Sequence, residues 1–253
     1  MKILVSSFSD KVFVNDLKKN VSLVNRFVDE GNIFIIATGK NISKVKKTLG
    51  SFDLKCSYYI CNDGATIFDQ FMNVIYRVDI NKEYIEPIYD TLSKSKYISD
   101  VKIDVSTGFV DDCFRATNKI VAKYNNKAVA YKIAEELNSH FPNLHAYVTT
   151  NYINIINNKI SKGKSLNYLL DYYNLAKDQI YTIVKDENDI SLSQYESYII
   201  GNNQGSFKYC TKNFEEAIKK ITNYLMWTPN RRHQIKNQGR TKWVHLDPWF
   251  FIV

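Results

Sequence analysis

Four short apolar runs separated by amphipathic stretches constrain this chain more than any other feature. The first, Ile3-Leu4-Val5, stops at the polar turn Ser6-Ser7-Phe8-Ser9-Asp10. Asn32–Ala37 (N-I-F-I-I-A), Tyr58–Cys61 and Gln179–Val184 repeat the pattern. Branched apolar runs without alternation suit strands covered on both faces of a parallel sheet. Between the first two, Asp16–Glu30 carries Leu17, Val21, Val24, Phe27 and Val28 at helical spacing, and Gly31 stands where such a helix ends. Asn41–Leu49 reads as a second helix, opening with Ser43. Strands and helices alternating at this pitch predict right-handed βαβ units. Ligands of such sheets bind beyond the carboxyl ends of the strands, which places Ser7, Ser9 and Asp10 at the mouth of any site.

After Cys61 the rhythm changes. Thr66–Phe68 and Val74–Val78 predict a hairpin around Gln70–Asn73. Asn81–Ser95 and Asn126–His140 predict helices, and Val101–Val105 and Cys113–Val121 are strand-like. His145–Thr149 and Tyr152–Ile156 predict a second hairpin. Two helices on one antiparallel sheet make an α+β insertion over residues 79–158, hinged near Val78 and Asn158. The parallel rhythm then resumes with a helix opened by Ser161-Lys162-Gly163-Lys164, strands at Gln179–Val184 and Ser197–Ile200, and a helix over Asn213–Leu225. The insertion's tyrosines, among them Tyr131 and Tyr147, read as ordinary packing, and His140 and His145 as surface residues.

Composition excludes several classes. No apolar run approaches the ~20 residues that cross a bilayer, and the first residues lack the pattern of a signal peptide. The four cysteines are scattered without C-x-x-C or zinc-ligand spacing, which predicts free thiols in a reducing cytoplasm. A formal net charge of +8 invites a nucleic-acid reading. From Met226 onward, however, five lysines and arginines face Asp247 alone, so half the excess lies there. The same 226–253 segment holds all three tryptophans and shows neither helical nor alternating period. It is expected to lie outside the fold. The two readings weighed for it are a basic aromatic arm for nucleic acid or an acidic partner and a functionless extension, and the second is preferred.

Four strand ends carry, in order, Ser7-Phe8-Ser9, Thr38-Gly39, Lys162 and Lys185-Asp186-Glu187-Asn188-Asp189. With A-T-G-K at Ala37–Lys40, I-C-N-D-G-A at Ile60–Ala65, S-K-G-K-S-L at Ser161–Leu166 and E-N-D-I at Glu187–Ile190, the pattern resembles the haloacid dehalogenase (HAD) superfamily, in its Cof-type branch of sugar-phosphate phosphatases. The resemblance runs from about Met1 to Leu225. It implies an α/β, Rossmann-like core with a parallel sheet (residues 1–78 and 159–225) and an inserted α+β cap of the C2 type (79–158). It also implies a chemistry. An aspartate at the end of the first strand attacks phosphorus, and a second, two residues on, acts as general acid and base. A magnesium ion held by the first aspartate and by one in the last motif offsets the charge. A hydroxyl and a lysine bind the phosphoryl oxygens.

Carried over residue by residue, the binding half fits: Thr38, with Gly39 beside it, matches the phosphate-binding hydroxyl, Lys162 the phosphate-binding ammonium, and Asn188 and Asp189 the end of the acidic motif. The reacting half does not. The nucleophile position is Ser7, the acid/base position is Ser9, and the metal-binding position is Lys185. A hydroxyl without a positioned base cannot replace a carboxylate nucleophile, so Ser7 and Ser9 read chiefly as fillers of the space of lost aspartates. Lys185 is expected to pair with Asp189 and to remove the need for a metal. Asp10 and Asp186 are one residue out of register with the catalytic positions.

The leading expectation is therefore a cytoplasmic, non-catalytic homologue, a pseudophosphatase, that needs no cofactor. It would bind a phosphorylated small molecule or a protein partner, and no membrane. The first alternative is an active, Mg2+-dependent phosphatase of sugar phosphates or nucleotides with a rearranged site at Asp10, Asp186 and Asp189. The second is binding of nucleic acid or an acidic partner through the tail.

Overall fold

The computed structural model describes residues 1–110, 116–185, 187–202 and 205–226. The tail beyond Met226, Asp186 and Cys113 lie outside those residues, as do the readings attached to them. Along the chain run β1 (Ile3–Ser7), α1 (Leu17–Asp29), β2 (Ile33–Ala37), α2 (Ile42–Leu49), β3 (Tyr58–Cys61), β4 (Thr66–Asp69) and β5 (Val74–Arg77). Then come α3 (Lys82–Ser93), β6 (Ile98–Asp104), β7 (Phe109–Val110), β8 (Lys119–Tyr124), α4 (Lys127–His140), β9 (Leu144–Val148) and β10 (Tyr152–Asn157). The last group is α5 (Lys162–Tyr172), β11 (Ile180–Val184), β12 (Glu196–Ile200), β13 (Tyr209–Thr211) and α6 (Phe214–Met226).

The first sheet has the order β13-β12-β11-β1-β2-β3-β4-β5. Its pairings from β13 to β3 are parallel, and β4 and β5 add an antiparallel edge. The inner strands, β1 and β2 above all, are buried because helices cover both faces. Leu4, Phe34 and Ile36 point to one face, where Phe13, Phe27 and Phe214 pack with α1, α2 and α6. Ile3, Val5 and Ile35 point to the other, against Leu166, Leu169 and Leu170 of α5. This is the period-two alternation of a strand, with apolar residues on both sides. Each such side chain contributes roughly 1.5–3 kcal/mol on burial.

Three local features differ from expectation. β1 continues through Ser6 and Ser7, because these pair in register with Ile36 and Ala37 of β2 and Ser6 also with Ile183 of β11. Ladder bonds between two neighbours hold the strand where its side chains turn polar. Of the stretch expected to be strand-like over Cys113–Val121, the described residues 116–118 are not strand and β8 begins at Lys119. The short strands β7 and β13 carry too few residues for any period to show.

The second sheet is antiparallel throughout, in the order β7-β6-β8-β10-β9. Ile85, Ile88 and Leu92 of α3 and Ala130, Ala134 and Leu137 of α4 pack on Ile103, Ile120, Ile153 and Ile155. The two chain crossings lie side by side, with Asn157 Nδ2 donating to the Asp79 carbonyl at 3.1 Å. Among the described residues no helix is long and apolar enough to cross a membrane. Cys56, Cys61 and Cys210 are free thiols.

Helix α5 is placed by its first turn. The Ser161 side chain accepts the Lys164 N–H, and the Gly163 N–H donates to Ser191 Oγ at 3.0 Å. A Cβ on Gly163 would lie 2.1 Å from the Ser191 carbonyl oxygen, a backbone atom. Gly163→Ala is therefore expected to destabilise the fold by about 1–3 kcal/mol, measured as a lowered denaturant midpoint. An unchanged midpoint would show that α5 can shift.

Candidate functional site

The chain reverses sheet direction at β1: β2 and β3 lie on one side of it and β11 and β12 on the other. The crevice at such a switch point, beyond the strand ends, is where this architecture binds ligands. Ser7, Thr38 and Lys185 come from the ends of β1, β2 and β11, and Lys162 from the start of α5. Ser7, Ser9, Thr38, Gly39, Lys162, Asn188 and Asp189, all expected at the site, line one lobe of about 320 Å³. A neighbouring lobe of about 630 Å³ lies between α4, β9 and the start of α5, flanked by Tyr131 and His145.

Asp189 is the hub of the small lobe. Ser7 Oγ donates to its Oδ2 at 2.6 Å, and Lys162 Nζ donates to its Oδ1 at 2.7 Å. Both oxygens of this buried carboxylate are thus taken by protein groups. Lys162 also lies 3.5 Å from Asp63 Oδ1. Burial would lower the pKa of Lys162, but the Asp189 and Asp63 carboxylates outweigh it and raise the pKa overall. Ser9 Oγ is buried with no hydrogen-bond partner, while Thr38 Oγ1 accepts the Lys40 N–H at 3.2 Å.

Lys185 does not pair with Asp189 as expected. Its ammonium donates to the Ile200 carbonyl at the end of β12, and only its backbone N–H faces Asp189, at 3.4 Å. The carbonyl at the end of the adjacent parallel strand is within reach of the side chain, and Lys162 already neutralises Asp189. Asp10 points outward, with its side chain 74% exposed and 3.8 Å from Lys40 Nζ.

Three more residues complete the site: Asp63 and Lys119, to which the sequence reading gave no role, and Tyr147, which it read as ordinary packing. Asn62 and Asp63 adopt positive φ values of 51° and 56°, tolerated by Asn and Asp more than by other side chains. This turn after β3 aims the Asp63 carboxylate into the crevice. There it meets Lys119 Nζ from β8 at 2.5 Å and the Tyr147 hydroxyl from β9 at 2.6 Å, both donating to Oδ2. Lys119 Nζ also donates to the Gly39 carbonyl at 3.1 Å. Burial pushes the Asp63 pKa up, but Lys119 and then Lys162 outweigh it and hold the carboxyl well below its usual range. Burial, followed by the charge of Asp63, pushes the Tyr147 phenol well above its usual range, so it stays a donor. The N-D-G-A turn was the only sequence signal for Asp63. Lys119 and Tyr147 had none, since their reach depends on how the second sheet sits on the first.

A second set of contacts joins the two layers away from the lobe. Asp104 at the end of β6 accepts Asn41 Nδ2 at 2.7 Å and Asn62 Nδ2 at 3.0 Å. Asn41 is also the N-cap of α2, accepting the Lys44 N–H at 2.9 Å, so the helix begins there and not at Ser43.

The chemistry implied by the resemblance needs a divalent ion, and the donor set among the described residues does not suit one. The position of the first metal-binding carboxylate is the Ser7 hydroxyl, a second is Lys185, and both oxygens of Asp189 are engaged. Among the described residues no three His, Cys, Asp or Glu side chains converge.

Fold and site together define a core-and-cap α/β protein whose crevice, lined by both layers, carries three lysines (Lys40, Lys119, Lys162) against two aspartates (Asp63, Asp189). A family model of haloacid dehalogenase-like hydrolases matches residues 10–112 and 102–231, and the chain belongs to that family. An uncharacterized protein of Mycoplasma capricolum subsp. capricolum is 24% identical, over 89% of this chain and 96% of its own. The HAD phosphatase BT1666 of Bacteroides thetaiotaomicron superposes with a TM-score of 0.73 at 15% identity, covering 89% of this chain and 95% of its own. A HAD/COF-like hydrolase of Plasmodium vivax gives 0.73 at 18% identity, with the same coverage.

Proposed function

We propose that this member of the haloacid dehalogenase-like hydrolase family has lost phosphohydrolase chemistry and binds a phosphorylated small molecule between core and cap. The observation that carries this reading is the closed Ser7–Asp189–Lys162 set. Where the family's chemistry calls for a carboxylate nucleophile and a metal, this chain has a hydroxyl and an ammonium bonded to Asp189. The hydroxyls of Ser7, Ser9 and Thr38 and the excess of lysines suit a phosphoryl group. Phosphate-monoester hydrolysis has one of the slowest uncatalysed rates, so loss of nucleophile, general acid and metal together removes nearly all turnover.

The test pairs calorimetric titration of the full chain with inorganic phosphate and an assay of p-nitrophenyl phosphate turnover with magnesium. Saturable phosphate binding without turnover is expected. Magnesium-dependent turnover abolished by Asp189→Ala would overturn the loss of chemistry, and absence of phosphate binding would overturn the ligand.

A further inference from the structure

The two lobes of the crevice meet at a neck, and the residues common to both are Asp63, Tyr147, Lys162 and Asn188. At this neck three donors converge on one carboxylate: Lys119, Tyr147 and Lys162, at 2.5, 2.6 and 3.5 Å. Two lysines and a phenol from different elements are the groups that would grip an anionic ligand. Here the chain supplies the anion itself. The placement is specific: a Cβ on Gly39 would lie 2.7 Å from Asp63 Oδ1, so the carboxylate is seated where the phosphate-binding loop has no side chain. The Asp63 N–H is tied to the Thr38 carbonyl at 3.0 Å, which fixes it beside the Thr38 position.

We propose that Asp63 is a specificity-determining residue, a built-in anion that fills the second anion position of the crevice. The ligand it selects is the monophosphate ester of an uncharged body. Resting on the reading above, this deepens it. The phosphoryl group occupies the small lobe near Ser7 and Thr38, and the rest of the ligand passes the neck into the larger lobe, past Tyr131 and His145. A bisphosphate, a diphosphate or a phosphorylated acid would bring its second charge against the Asp63 carboxylate. Like charges brought against each other in a crevice repel. With Asp63 present, Lys119 and Lys162 are already neutralised and offer that second charge no return.

The experiment titrates the full-length parent, Asp63→Asn and Lys119→Gln with phosphate and with pyrophosphate. It compares the ratio of the two dissociation constants, with circular dichroism reporting folding. Asp63→Asn keeps the size of the side chain and frees the donors, so the ratio is expected to shift toward pyrophosphate by at least about tenfold. Lys119→Gln leaves the carboxylate less neutralised and removes a donor, so the ratio is expected to shift the other way. A folded Asp63→Asn variant with the parent's ratio overturns the assignment. If that variant does not fold, an unchanged ratio in Lys119→Gln overturns it. A parent that binds neither anion, beside an Asp63→Asn variant that binds pyrophosphate, would sink the proposed ligand of the native crevice and leave the role of Asp63 standing. A parent that binds phosphate, with ratios unmoved by either substitution, would do the reverse.

Discussion

A Ser7→Asp, Ser9→Asp, Lys185→Asp triple variant is expected to gain magnesium-dependent turnover of p-nitrophenyl phosphate, at least about 10³-fold above the parent's background. Ser7 sits at the end of β1 with its hydroxyl 2.6 Å from Asp189, so a carboxylate there faces Asp189 directly. The backbone N–H of residue 185 is 3.4 Å from the same carboxylate, which brings a third one to the group when Lys185 is replaced. Three carboxylates so close cannot all stay ionised without a cation between them. A binding readout therefore accompanies the kinetic one: magnesium is expected to raise the variant's melting temperature and to leave the parent's unchanged. Ser9 needs the same change because nucleophile and general acid act as a unit, and restoring one alone recovers little. A folded variant that is stabilised by magnesium but remains silent would show that the nucleophile register at Ser7 is wrong. One that is neither stabilised nor active would remove the whole carry-over from the family.

Lys162→Met should have the largest effect on stability of any single change in the crevice. The methionine keeps most of the side chain's length and removes the charge together with its hydrogen-bond donors. It strips a buried cation from Asp189 at 2.7 Å and from Asp63 at 3.5 Å. Removing one partner of a buried ion pair costs about 3–5 kcal/mol, because the remaining charge is left without compensation. For a domain of this size that lowers the melting temperature by on the order of 10 °C. The pH dependence gives an independent check. Asp63 has a lowered pKa in the folded chain despite its burial, owing to Lys119 and Lys162. Its contribution is therefore fully present above the usual aspartate value of about 4 and is lost as pH falls toward the depressed folded value. In Lys162→Met, Lys119 and the Tyr147 hydrogen bond still lower that pKa, so the acid-side loss from Asp63 becomes smaller and is complete at a higher pH. A variant as stable as the parent at neutral pH would mean that the carboxylates find water or another cation, and that the set is not closed as described.

How much of the site was legible follows from where each residue sits relative to its own backbone. Ser7, Thr38, Lys162 and Asp189 stand at strand ends or helix starts, and the order of strands and helices is written in apolar periodicity. A local pattern therefore brings four distant positions to one crevice. The expected pairing of Lys185 with Asp189 failed because a long side chain chooses among all partners within reach. The acceptor it takes is the Ile200 carbonyl at the end of the neighbouring strand, a fact of sheet order and not of spacing.

The chain's sequence by itself determined the core: β-branched runs that must be covered on both faces, amphipathic helices to cover them, and an inserted layer with its own period. It also determined that serines, Ser7 and Ser9, stand at the two positions that the resemblance assigns to reacting carboxylates. Only the tertiary structure decided what stands in the crevice instead. Lys119 and Tyr147 lie on cap strands whose alternation shows which face they occupy and says nothing of what that face meets. Asp63 becomes the partner of both because the turn after β3 and the docked cap bring their charges within hydrogen-bonding distance, and electrostatic contacts of this kind depend on separation in space, not along the chain.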